Sequence, residues 1–214
     1  MGSAERKQRQ KAQLREQILE AAREIVVREG FRALSMRKLA DAVEYAPATL
    51  YLHFQNRDEI ARELCLKGFQ ELWTFLEPAA SLADPLERLR VVAERYVQFG
   101  LSHKETYQFI FMEDPEITGA VLRGGPEDKG EQSFELLART IAELHAQGRL
   151  VPGAEPQRLT EVFWAGLHGV VSLKLTCTDF LKTPVEELSA NMIHTLLAGM
   201  LAPAKDARAG TPAP

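Results

Sequence analysis

The stretch from Leu34 to Ile60, "LSMRKLADAVEYAPATLYLHFQNRDEI", decides the fold of this chain. It contains two short apolar repeats, separated by a break at residues 44–46. Pro47 opens the second repeat, and proline suits the first turn of a helix because its missing N–H costs nothing there. A helix of about two turns is not stable alone. The second repeat therefore needs neighbouring helices to hold it in place.

The sequence on either side supplies such helices. Apolar residues recur at helical spacing from Leu14 until the chain reaches Gly30, and Ser35 is placed to cap a short second helix. After the third helix, Asn56 caps a fourth, with Glu59 three residues on in a capping-box pattern. Two short helices joined by a tight break and braced by a first one predict a helix-turn-helix. Such a unit lays its second helix in the major groove of DNA.

The third helix is predicted to carry Thr49 to Phe54, and its spacing assigns two faces. Leu50 and Phe54 are four residues apart and are expected to face inward. Thr49 and Tyr51, with His53 on the flank, are then expected to face outward. Threonine can contact a thymine methyl group or a phosphate, and tyrosine and histidine can donate to phosphate oxygens. The alternative is an amphipathic segment that only packs in a helical core.

The remainder of the chain also has helical periodicity, and no segment alternates with period two over a convincing length. We predict an all-α protein of about nine helices. Residues 113–126, rich in glycine and proline, are expected to form a loop. The chain holds 11 Lys/Arg against 7 Asp/Glu in residues 1–57, and 15 against 23 in residues 58–214. The basic front and acidic body indicate that only the front meets a polyanion.

Other function classes find little support. The sequence has no glycine-rich phosphate loop, HExxH, nucleophile elbow or metal-spaced Cys and His, so we expect no catalytic residue, metal or cofactor. No apolar run is long enough for a bilayer span, so no membrane partner is expected. Cys65 and Cys177 are expected to be packing thiols of a reducing cytoplasm.

Four segments carry a family resemblance: Ala21-Ala22, "EGFRALSMRKLADAV", "YAPATLYLHF" and "NRDEI". They resemble the DNA-binding domain of the TetR family of bacterial transcriptional regulators, closely over residues 11–71 and elsewhere only by helix count and length. The resemblance implies a cytoplasmic homodimer that binds double-stranded DNA. It implies contacts to the DNA backbone or bases at Ser35, Arg37, Lys38, Tyr45, Pro47, Ala48, Thr49, Tyr51, His53 and Arg57.

Three positions depart from the family pattern. Glu44 stands where glycine is usual in the turn, and Ala46 replaces the usual serine cap. If the turn needs positive φ, glutamate costs about 1 kcal/mol more than glycine. Ala48 places a methyl group on the expected base-facing surface. These departures bear on the operator sequence and not on the fold.

The stretch "FWAGLHGVVSL", residues 163–173, resembles a Trp/His/Gly signature of one subgroup of TetR ligand domains. Together with the last helix, it is expected to pair with a second subunit as a four-helix bundle. The alternative is that both helices close the core of a monomer. The expected interface residues are Phe163, Gly166, Val170, Leu188, Met192 and Leu196.

Aromatic residues between the two halves could enclose a largely apolar small molecule with a few polar anchors. Plain packing is the alternative for each of them. The expected pocket residues are Tyr96, Phe99, His103, Tyr107, Phe111, Phe134, Trp164 and His168. The expected organisation is a basic flexible arm (1–10), a helix-turn-helix domain (11–57), a helical ligand-binding and dimerisation domain (58–201) and a disordered tail (202–214).

The resulting expectation is a ligand-responsive repressor that binds a palindromic operator as a homodimer. Two alternatives remain: an activator of the same fold, and a helical ligand-binding or interaction module that no longer reads DNA.

Overall fold

A computed structural model describes residues 2–125 and 127–203 of the chain. That part is all-α, as predicted, and its only extended pairing is one antiparallel bridge between Leu150 and Leu201. Most of the predicted tail, residues 204–214, lies outside the described residues. No helix in the described part is long and apolar enough to cross a membrane. The α-helices are α1 (Ser3–Glu29), α2 (Met36–Ala42), α3 (Pro47–Leu50), α4 (Arg57–Leu76), α5 (Pro85–Ser102), α6 (Lys104–Gln108), α7 (Pro115–Leu122), α8 (Lys129–Ala146), α9 (Pro156–Thr176) and α10 (Val185–Met200).

The described part thus contains ten α-helices and not nine, because α7 lies inside the predicted loop at residues 113–126. The side chain of Asp114 accepts hydrogen bonds from the backbone N–H groups of Glu116 and Ile117, at 3.0 and 3.1 Å. Pro115 follows at the first helical position. An aspartate cap followed by proline is a helix-start signal. The glycines and prolines around it concealed this signal in the sequence.

The chain forms two compact units. The first consists of Met1–Phe75 and Ser102–Ser133, and the second of Leu76–Leu101 and Phe134–Pro214. The helix-turn-helix segment lies in the first unit. It shares that unit with most of α4 and with the segment that holds α6 and α7.

The core of the first unit forms around one face of α1. Leu14, Ile18, Ala22 and Ile25 are all buried, as their helical spacing predicts. The helix itself begins at Ser3, well before Leu14, so the segment expected to be an arm supplies its first turns. The polar face of these turns carries no apolar period, and this is why the sequence pattern did not show them.

Capping and turn chemistry shape the helix-turn-helix. The Ser35 hydroxyl accepts a hydrogen bond from the backbone N–H of Lys38 at 3.2 Å and so caps α2. The turn after α2 passes through Glu44 at φ +58°, in the left-handed region where glycine is at ease. Ala46 then precedes α3 without a side-chain cap. The two departures noted in the sequence thus have structural consequences. Glu44 takes a left-handed backbone, and Ala46 leaves α3 without a side-chain cap.

The third helix is shorter than predicted. It ends at Leu50, and the chain continues to Phe54 in tighter turns, with backbone bonds from Leu52 to Thr49 at 3.1 Å and from His53 to Leu50 at 2.9 Å. Such bonds span three residues, which is the 3₁₀ pattern that commonly ends a helix. Leu50 and Phe54 are nonetheless buried, as their spacing predicts.

The fourth helix starts immediately afterwards, as the capping pattern predicts. The Asn56 side-chain oxygen accepts from the backbone N–H of Glu59 at 2.9 Å. The Glu59 carboxylate in turn accepts from the backbone N–H of Gln55 at 2.6 Å. These reciprocal bonds hold the short path between the two helices in one conformation.

The segment around α6 and α7 packs on the helix-turn-helix core. It includes a π-helical turn, Phe109–Glu113, in which the Phe109 ring lies 6.3 Å from that of Phe31. The backbone of α4 approaches this turn at Gly68. A Cβ at that position would clash with the side chain of Ile110, so the contact requires glycine.

In the second unit, α9 packs against α10. A Cβ placed on Gly166 would lie 2.9 Å from a methyl group of Leu196 and 3.4 Å from the sulfur of Met192. Gly166, expected at the interface with a second subunit, therefore admits α10 of the same chain.

Candidate nucleic-acid interface

The exposed face of the helix-turn-helix surrounds α3. Tyr51 is 55% exposed and Tyr45 46%, which is high for tyrosine beside a packed core. Pro47 and Ala48 are exposed too, and Thr49 is half-buried. These side chains share one short surface that aromatic hydroxyl groups and methyl groups can present to DNA.

Cationic residues flank this surface. Arg37, in α2, is exposed and forms no ion pair within the described part of the chain. Lys38 is half-buried and paired with Glu29 of α1, and this hydrogen bond lowers the pKa of the Glu29 carboxyl. Arg37 is therefore the better placed of the two to meet a phosphate, because Lys38 must first leave its carboxylate.

Arg57 occupies the first position of α4. Its guanidinium lies 5.1 Å from the centre of the Phe31 ring and 3.2 Å from a carboxylate oxygen of Asp58. The N-terminus of a twenty-residue helix carries a partial positive charge that adds to the attraction for an anion. An exposed arginine at such a helix start suits a phosphate contact.

His53, predicted on the flank of the outward surface, faces solvent only in part. It is half-buried, and its Nδ1 atom is enclosed, with no hydrogen-bond partner in the described residues. Burial lowers the pKa of His53, and the charges of Lys11 and Arg15 lower it further. The contact of His53 with DNA therefore stays a prediction.

Arg15 is a positioning residue that the sequence pattern missed. From α1 it donates to the backbone carbonyl of His53 and pairs with the carboxylate of Glu63. Its guanidinium also lies 4.0 Å from the centre of the Phe54 ring. Arg15 thus joins the end of residues 47–54, called the reading segment below, to α1 and α4. No local pattern announces this role, because its partners lie 38 and 48 residues away.

The expected pocket residues fall into two groups. His103, Tyr107 and Phe111 belong to the first unit, where the Tyr107 and Phe111 rings are 4.9 Å apart. The second unit holds the others: Tyr96, Phe99, Phe134, Trp164 and His168.

A polar aromatic cluster lies in the second group. The Trp164 indole N–H donates to the Tyr96 hydroxyl at 3.0 Å, and that hydroxyl lies 3.4 Å from Nδ1 of His168. The rings of Phe134 and Trp164 meet edge to face at 5.7 Å. Burial lowers the pKa of His168, which favours its neutral form. The cluster combines apolar surface with a few polar atoms, as ligand sites do.

The expected interface residues divide by burial. Phe163 and Val170 are 1% and 2% exposed within a single chain, so they are core residues with no surface to offer a second copy. This corrects their expected role. Leu188, Met192 and Leu196 are half-buried on α10. On α9, exposed apolar surface is found instead at Val162 and Leu173.

A metal centre is not apparent in the described residues, where no three His, Cys, Asp or Glu side chains group in a way that could hold a metal ion.

A short exposed helix, set after a tight turn and braced by α1 and α4, defines a helix-turn-helix DNA-binding protein.

Comparison with known proteins identifies the family. Residues 18–64 match the family model for bacterial regulatory proteins of the tetR family, and residues 89–196 match the tetracyclin repressor-like C-terminal domain. The chain belongs to the TetR family of transcriptional regulators, whose N-terminal helix-turn-helix binds DNA.

Individual relatives support this assignment. An uncharacterised HTH-type transcriptional regulator of Haemophilus influenzae is 39% identical over 67 residues, which cover 31% of this chain and 36% of that protein. The match thus spans about a third of that relative. The uncharacterised regulator Rv0681 of Mycobacterium tuberculosis is 27% identical over 192 residues, covering 87% of this chain and 81% of its own. The structure of SmeT of Stenotrophomonas maltophilia in complex with triclosan has a TM-score of 0.70 at 16% identity, covering 94% and 98% of the two chains.

Proposed function

We propose that this protein is a ligand-responsive repressor that binds a palindromic operator as a homodimer in the cytoplasm. The observation that carries the DNA-binding part is the exposed surface around α3, with Tyr51 and Tyr45 outward and Arg57 at the start of α4. Each subunit places residues 47–52 in a major groove. Two-fold symmetry then sets the half-sites about one helical turn apart.

The proposed DNA contacts are of two kinds, those that can read bases and those that only bind phosphates. Thr49 and Ala48 offer methyl groups that suit a thymine methyl, so they carry part of the base preference. Tyr51, Arg37 and Arg57 suit phosphate oxygens, which fix register and orientation without reading sequence. Ser35 caps α2 by accepting from the Lys38 amide, which would fix the start of α2 for a contact with the DNA backbone. Arg15 keeps the end of the reading segment in place.

The ligand-binding part rests on the polar aromatic cluster of Tyr96, Trp164 and His168 in the second unit. A largely apolar molecule could pack on these rings and exchange hydrogen bonds with the hydroxyl and the imidazole. The complex of SmeT with triclosan supports such a ligand class for a protein of this fold. Effector and DNA must each prefer a different spacing of the two reading segments in the dimer, and the coupling between them is then reciprocal.

The dimer is assigned to α9 and α10. The exposed apolar residues Val162 and Leu173 lie on α9, and Leu188 and Met192 are half-buried on α10. Burying such residues against their copies in a second subunit would supply the apolar contact that an isologous interface needs.

The test is equilibrium binding to a duplex selected by the wild-type protein. Tyr51→Ala and Arg57→Ala are compared with Arg90→Ala, which removes the same charge from an exposed position in α5. We expect each of the first two to weaken binding by roughly 1.5–3 kcal/mol, since each loses a hydrogen bond to a charged phosphate. The loss should be about the same on every duplex sequence. Arg57→Ala should also reduce the salt slope by about 1, because one phosphate contact is lost.

If Tyr51→Ala and Arg57→Ala both bind the duplex as tightly as the wild type does, residues 47–52 are not the segment that contacts DNA. The sign of regulation is read separately, from transcription of the target promoter with and without the protein. Increased transcription in its presence would replace the repressor with an activator and leave the DNA-binding assignment intact.

A further inference from the structure

A groove of about 740 Å³ lies among α1, α4 and α6, lined by residues of the first unit alone. Its volume is within the range of small-molecule pockets. Five apolar side chains belong to its lining and are called its floor below; one of them, Val27, is 49% exposed. The floor residues are Leu19, Val26, Val27, Leu64 and Phe109.

The charges around this floor do not balance. Glu20 pairs with Arg23 at 2.7 Å, and Glu16 pairs with Lys67, so these two carboxylates are neutralised by cations of the same lining. Two further carboxylates line the groove, those of Glu71 and Glu105.

Neither of these two carboxylates forms an ion pair in the described part of the chain. Glu71 accepts a hydrogen bond from the Thr106 hydroxyl at 3.2 Å. The pKa of Arg23 is raised chiefly by its hydrogen bond to Glu20, and the charge of Glu71 adds to the rise. The groove therefore presents an apolar surface beside two carboxylates that form no ion pair among the described residues. Its lining holds four carboxylates against two cations, Arg23 and Lys67.

The geometry points to a binding site for a small organic cation with an apolar body, such as a quaternary or tertiary ammonium compound. The apolar part contacts the floor, and the cationic head lies near Glu71 and Glu105. Phe109 adds a ring that can face the head, and aromatic faces attract quaternary ammonium groups. An anion of the same shape meets repulsion, and a neutral analogue gains only the apolar contact.

The experiment uses three probes of matched shape with the full-length protein and without DNA. They are benzyltrimethylammonium, its uncharged carbon isostere neopentylbenzene, and the anion phenylmethanesulfonate. Each is titrated while methyl NMR resonances of Leu19, Val26, Val27 and Leu64 are followed. These four floor residues report binding in the groove itself, so binding at another place is recognised.

We expect saturable shifts of the floor methyl groups with the ammonium probe, and binding of the other two at least about fivefold weaker. The double variant Glu71→Gln/Glu105→Gln should bind the ammonium probe roughly five- to tenfold more weakly, since it loses two partly screened charge interactions. Glu94→Gln, an exposed change in α5, is the matched control and should bind as the wild type does. Glu71→Lys/Glu105→Lys should reverse the preference towards the sulfonate.

Three results would overturn the assignment: equal affinity for ammonium and isostere, floor methyl groups that do not shift, or unchanged binding in the double glutamine variant. Because no DNA is present, none of these bears on operator binding. The groove and the proposed repressor function can therefore fail independently.

Discussion

The turn between α2 and α3 contains the one non-glycine residue with positive φ in the described chain, Glu44 at +58°. An L-residue in the left-handed region costs about 1–2 kcal/mol. Glycine removes that cost but widens the unfolded ensemble, which offsets about 0.4–1 kcal/mol. We therefore expect Glu44→Gly to raise the free energy of unfolding by about 0.5–1 kcal/mol. For a chain of this length, this corresponds to a rise in Tm of roughly 1–4 °C.

The backbone hydrogen bonds of the turn do not depend on the side chain. The amide of Tyr45 donates to the carbonyl of Ala40 at 3.0 Å whatever occupies position 44. Substitution with glycine therefore changes the strain and the charge, and keeps the turn.

Urea unfolding of wild type, Glu44→Gly and Glu44→Ala, at one protein concentration, separates these two effects. Alanine removes the carboxylate but keeps Cβ, so a gain due to charge appears in both variants. A gain due to strain appears in Glu44→Gly alone. We expect Glu44→Ala to lie within about 0.5 kcal/mol of wild type, as surface changes usually do. If Glu44→Gly is no more stable than Glu44→Ala, the strain argument is wrong.

Three further predictions concern the interior. Arg15→Met keeps the aliphatic stem but loses the bonds to His53 and Glu63. Urea unfolding should show that the free energy of unfolding falls by about 2 kcal/mol. An unchanged free energy of unfolding would mean that Arg15 does not hold the reading segment in place. The pKa of His168 lies below its unfolded value, so its contribution to stability is present above about pH 6.5 and declines as pH falls. The loss of stability between pH 7 and 5 should therefore be smaller in His168→Gln than in the wild type. An identical pH profile would refute this. Burial raises the pKa of Cys65 to about 12, so Ellman's reagent at pH 8 should label the partly exposed Cys177 in the native protein and both thiols in urea. Rapid native labelling of Cys65 would contradict its burial.

Much of the fold could be predicted from local signals in the sequence. The spacing of Leu50 and Phe54 and the cap at Asn56 each depend on a few neighbouring residues. The backbone geometry of such features is set by short-range sterics and hydrogen bonding, so sequence alone predicts them. The start of α7 was also a local signal, at Asp114, but the surrounding glycines favoured a loop.

Features that depend on distant contacts were beyond the sequence. Arg15 finds its partners, the carbonyl of His53 and the carboxylate of Glu63, in segments far along the chain. Phe163 and Val170 have the spacing of an interface but lie in the core of one chain. A periodic apolar face shows that a helix packs, and it does not show against which surface. For the same reason, the sequence did not reveal the groove among α1, α4 and α6.

The central claim is that two copies of this chain read DNA sequence through the surface around α3. The most direct test selects bound duplexes from a random DNA pool at near-physiological salt. It is run side by side with the wild type and with the double variant Tyr51→Ala/Arg57→Ala. We predict that the wild type enriches a palindrome whose half-sites are about one helical turn apart. The variant, which has lost two phosphate contacts, should need more protein to enrich the same palindrome. Salt-sensitive binding without any enriched sequence would contradict the claim, and the chain would then be a helical module that no longer reads DNA.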